Sequence, residues 1–155
     1  MTNTTTHPTC QRVSVLNCVD DAHLAIGDIA GLAGLLRRAI AHGALPGVSE
    51  LFAVSNAVLR NADRLDASLD LWRLLAADSL PSSHHRSMQR LVDAIRPPAD
   101  GLGDAGMYAD SGTPPAADHL AALADSLLAL IEPLHQAVNA AWDARSAPPP
   151  ADPLH

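Results

Sequence analysis

An unbroken 3,4 spacing over 26 positions dominates this sequence: Leu51, Val58, Leu65 and Trp72 recur at seven, and Ser55, Ala62, Leu69 and Ala76 fall four after each. Only an α-helix puts such positions on one face, since a strand repeats every two residues. The span, 48–78, corresponds to about 45 Å at 1.5 Å per residue. A helix with this pattern packs along its length against near-parallel neighbours. Ser55, Ala62 and Ala76 make the seam thin. It therefore suits a bundle with close interhelical spacing better than a free-standing two-stranded coiled coil.

A second seam repeats the pattern at Leu120, Ala124, Leu127, Ile131, Leu134, Val138 and Ala141. Pro133 falls inside it without shifting the register, which predicts one kinked helix over 117–145 rather than two. Within this chain it is the best neighbour for the 51–76 seam. Composition supports the same class. Hydrophobic residues are 48% and aromatics only 3%, and the excess is Ala and Leu, which lose least on entering a helix.

Two further helices are expected. One, over 21–42, starts at Asp20 and Asp21, which can cap it and oppose its dipole, and ends at Gly43. Its apolar face is Ala25, Ile29, Leu32, Leu36 and Ile40, beside a strip of Gly27, Gly31 and Gly34. Each interior glycine costs about 1 kcal/mol relative to Ala. The strip either lets another helix approach closely or reflects drift between Gly and Ala in a GC-rich bacterial composition. The other helix, 83–95, is capped by Ser82 or Ser83, carries Met88, Leu91, Val92 and Ile95, and stops at Pro97-Pro98.

The rest reads as connection. Residues 1–19 are expected as a flexible segment, in which 12–17 (RVSVLN) alternates like a short strand with no partner, unstructured or pairing with another copy. Residues 97–116 are rich in Gly and Pro and read as a mobile internal loop. Residues 146–155 read as a solvated Pro-rich tail. The expected fold is thus all-α, a four-segment bundle forming one domain over 20–145.

The net charge of −7 is concentrated in residues 97–155, which hold one Arg against eight acids. Binding to nucleic acid or to an anionic membrane needs clustered cations, so neither is expected. The one compact basic cluster, His84, His85, Arg86, Arg90 and Arg96, has no aromatic interleaving and has the acidic fourth helix as an available partner. No stretch reads as a signal peptide or membrane span. A cytoplasmic protein with Cys10 and Cys18 reduced is expected.

Candidate chemistry is sparse. Glu132 and His135 form a Glu-x-x-His, the spacing that puts a carboxylate and an imidazole on one helical face. With Glu50, the only other glutamate, they could complete a carboxylate-bridged metal site only in a symmetric dimer. Leu134, not Glu132, occupies the seam, however, and a solvated pair is the plainer reading. No two histidines lie three or four apart, no Gly-x-Ser-x-Gly is present, and Asp100 and Asp104 would repel a phosphate from the nearby glycines. No cofactor is implied. The expectation is a non-enzymatic protein acting through protein–protein contacts, with itself among the candidate partners. A bacterial regulatory or secreted accessory protein, working through its Thr-rich N-terminus and the 97–116 loop, is the alternative.

Overall fold

The computed structural model describes residues 8–76 and 80–146, with side chains from Val15 to Ala76 and from Leu80 to Arg145. The 3,4 seam lies on α2 (Val48–Leu75), and all its positions from Leu51 to Ala76 are buried. Trp72 is among the largest fully buried side chains. Its indole Nε1 has no hydrogen-bond partner among the described residues, and it stabilises by volume and apolar area.

Around α2 stand α1 (Pro8–Ala41), α3 (Ser82–Asp93), α4 (Arg96–Asp110) and α5 (Ala117–Ser146). α1 packs against α2 and α5, while α3 and α4 both pack against α2 and α5. α3 meets the C-terminal half of α2, where Gln89 Nε2 donates to Asp66. α4 meets the N-terminal half, where buried Ser55 Oγ donates to the Ala99 carbonyl at 2.8 Å. The two short helices thus stand end to end as one broken post, antiparallel to α2. With α1, α2 and α5 they complete an up-and-down arrangement of four posts joined by short turns. The break has a local cause: Pro97 and Pro98 carry no N–H to donate backwards, yet suit the first turn of a new helix. The all-α bundle expected from the sequence is therefore the fold, and no described residue is in a strand.

Three expectations need correction. Residues 96–110 are not a mobile loop but α4; the connection shrinks to 111–116, with Gly112 at φ +90°. Ala99, Leu102, Ala105 and Gly106 form its buried face, a helical period written in small residues. Glycine weakens this helix intrinsically but lets it approach. A Cβ at Gly106 would lie 3.3 Å from Phe52 Cε2, and one at Gly103 would lie 3.1 Å from Ser55 Oγ. The close neighbour that the thin seam of α2 requires at this end is α4.

The second correction follows from it. α2 and α5 lie diagonally across the core instead of side by side, each flanked by α1 and by the α3–α4 post. The third concerns the N-terminal segment: residues 8–19 are helical, and Val15, Cys18, Val19 and Ala22 are buried at i, i+3, i+4 and i+7. Asp20 and Asp21 sit mid-helix, where Asp21 pairs with Arg64 at 2.7 Å. Residues 1–7, and the tail beyond Ser146, lie outside the described residues.

On α5 the seam continues across Pro133. Leu120, Ala124, Leu127, Leu134, Val138 and Ala141 are buried, and Ile131 lies half-buried at the edge of the core.

Candidate functional site

The expected metal ligands go to different places. Glu50 sits in the first turn of α2, where its Oε2 accepts the Gly47 N–H at 2.8 Å, a helix-capping role. Glu132 lies exposed on α5 and accepts from Gln136 one turn on. His135 turns instead toward α1, where it meets His23. No group of three His, Cys, Asp or Glu side chains converges among the described residues.

His23 and His135 make a polar contact between α1 and α5. The rings stack at 5.0 Å between centroids and 20° between planes, with Nδ1 to Nδ1 at 2.8 Å. One Nδ1 must carry a proton and donate it to the bare Nδ1 of the other. Both rings cannot be doubly protonated without breaking that bond. Burial, and next the charge of His23, hold His135 below the ordinary histidine value, against the opposing pull of Glu132. Since this lowers the proton affinity of the folded state alone, the unfolded chain binds more protons. Stability is then fullest above the unfolded value of 6.5 and declines as pH falls through the lowered folded one. Thermal melts should show a midpoint that drops between about pH 7.5 and 5.5. His135→Gln should flatten that slope, and an unchanged slope would remove this pair as its source.

Cys18 is a free thiol buried on the core side of α1. Burial, with a smaller push from Asp21, raises its pKa, so little thiolate forms. It packs as a small apolar side chain. The side chain of Cys10 lies outside those described.

Two members of the basic cluster, His85 and Arg96, face acids of α2 rather than the acidic helix expected to neutralise it. Arg96 lies 2.9 Å from Asp63 and 3.8 Å from Asp66, and His85 Nε2 lies 3.7 Å from Asp70. The hydrogen bond from Arg96 to Asp63 raises the guanidinium pKa. These acids recur on α2 at 63, 66 and 70, one flank of the helix that the seam leaves polar.

The outer face of α1 carries exposed apolar side chains beside glycines. Leu16, Leu24 and Leu35 are 45%, 58% and 61% exposed. Between them Gly27 and Gly31 are exposed and Gly34 is half-buried. A Cβ built on any of the three glycines would meet nothing within 4 Å. The glycine strip therefore accepts no helix from among the described residues. On one side of the face Asp21 engages α2, and on the other Arg37 engages Asp125 of α5 at 2.9 Å. The face lies opposite the buried positions Ala22, Ala25, Ile29, Ala33 and Leu36.

Sequence reasoning identified the glycines but not the exposed leucines beside them, nor the histidine pair. His23 and His135 are 112 positions apart, and no local spacing marks them.

No family model matches the chain, and neither does any curated protein or solved structure. No described helix is long and apolar enough to cross a membrane.

Proposed function

We propose that this protein is a non-enzymatic helical-bundle module that acts through protein–protein contact, with a second copy of itself as a partner. The single observation that carries this reading is the outer face of α1, where three leucines stand exposed beside glycines with open space above them. Interior glycines weaken a helix by about 1 kcal/mol each relative to Ala, and exposed leucines leave apolar surface in water. A helix arriving on that face gives both a use, because small residues let two backbones approach and flanking leucines interdigitate.

The alternative, an accessory protein working through its N-terminus and the 97–116 segment, draws less support. Residues 96–110 are packed into the bundle, which leaves only the connection at 111–116 and residues 1–7 to serve.

The test is mass as a function of concentration. Light scattering from micromolar to millimolar protein should show the mean mass rising from the monomer toward the dimer. A mass that stays monomeric throughout would overturn self-association.

A further inference from the structure

We infer that two copies of this protein pair through the outer faces of their α1 helices, antiparallel and two-fold symmetric, with Ile29 at the level of the symmetry axis. The inference rests on the protein-contact reading above and adds the partner's orientation and register. Its independent support is charge complementarity at the two ends of the stripe; at its centre exposed Asp28, one residue from the axis, meets its own copy, a like-charge contact that weakens the pairing. Asp20 and Arg38 are exposed on the same stripe as the leucines. They are placed symmetrically, nine residues to either side of Ile29, or about 13 Å each way at 1.5 Å per residue. Neither forms an ion pair among the described residues; Arg38 Nε donates only to the Gly34 carbonyl of its own helix, at 3.3 Å.

An isologous contact requires a surface that complements itself after a half turn. In the antiparallel register centred on Ile29, Asp20 of one copy is level with Arg38 of the other, and the same pair recurs at the opposite end. Gly27 is level with Gly31, so the backbones can approach most closely beside the axis. Leu24 and the second copy's Leu35 come within one residue of level, on the same flank of the contact. A parallel pairing would instead set Asp20 against Asp20 and Arg38 against Arg38, which repel. One helix against one helix buries less than the ~1,600 Å² of a standard stable interface, so the dimer is weak and in exchange with monomer.

Charge reversal tests the register. Sedimentation velocity on Asp20→Arg and on Arg38→Asp should show dimerisation weakened on the order of tenfold for each. Each change replaces two attractive pairs with two repulsive ones. The double variant D20R/R38D should recover wild-type dimerisation, since the pairs are then reversed but complementary. Both positions face solvent, and unchanged far-ultraviolet circular dichroism checks that the fold persists. If wild type dimerises but the double variant fails to rescue the singles, this register is wrong while self-association stands. If wild type is monomeric at every concentration, self-association fails and this pairing fails with it.

Discussion

Leu65→Asp should leave the chain unfolded at neutral pH. Leu65 has no exposed surface, lies midway along the seam of α2, and belongs to the single apolar core shared by all five helices. Removing its side chain forfeits about 2–5 kcal/mol. An ionised carboxylate in its place adds several more, because no Arg or His among the described residues is buried to pair with it. The sum is comparable with the whole stability of a domain this size, about 5–15 kcal/mol. Circular dichroism should show helical signal lost at room temperature. Leu71→Asp is the matched control on the same helix: Leu71 is 49% exposed, and the change should stay within about 0.5 kcal/mol. A folded Leu65→Asp protein with an ordinary melting temperature would mean that the 51–76 seam is not core.

The triple substitution of Gly27, Gly31 and Gly34 by Ala should raise the stability of the isolated chain. None of the added methyls meets a neighbour, and each exchange in a helix interior is worth about 0.5–1 kcal/mol in backbone entropy and propensity. The gain, about 2 kcal/mol, corresponds to roughly 4–8 °C in melting temperature for a chain this long. Measured at low concentration, where α1 is uncovered, the gain should be complete. At high concentration the same methyls should weaken self-association, because they stand where the second backbone approaches. A loss of stability in dilute protein would show that something already covers these glycines. The glycines of α4 provide the contrast: at Gly103 the methyl would press on Ser55 Oγ, whose hydroxyl is committed to the Ala99 carbonyl. Propensity gained there is spent on contact.

What was legible in the sequence was legible through large apolar side chains. Leu51, Val58, Leu65 and Trp72 mark α2 because their volume dominates any other pattern in the window, and Leu120 to Val138 mark α5 even through Pro133. α4 was hidden by the same criterion: Ala99, Ala105 and Gly106 are too small to signal a face, and its glycines and prolines imitate a loop. Their smallness is what fits the helix against α2. The N-terminal half of α1 was hidden differently. Val13 and Val15 suggest a strand, and the Asp20–Asp21 pair looks like a cap, although one of the two pairs with Arg64 across the bundle. Tertiary pairing overrode a local signal. The histidine contact and the Arg96–Asp63 pair depend on which posts are adjacent, and topology of that kind has no period to read.

The order of the posts also determines how the chain can find its fold. α1 packs on α2, α2 on the α3–α4 post, and that post on α5, so most of the core assembles between segments joined by short turns. Only the docking of α5 against α1 closes a long loop. Folds built this way lose little chain entropy before contacts form, and they fold in microseconds to milliseconds. The costliest loop closure is then expected at the α1–α5 seam, where His23 meets His135.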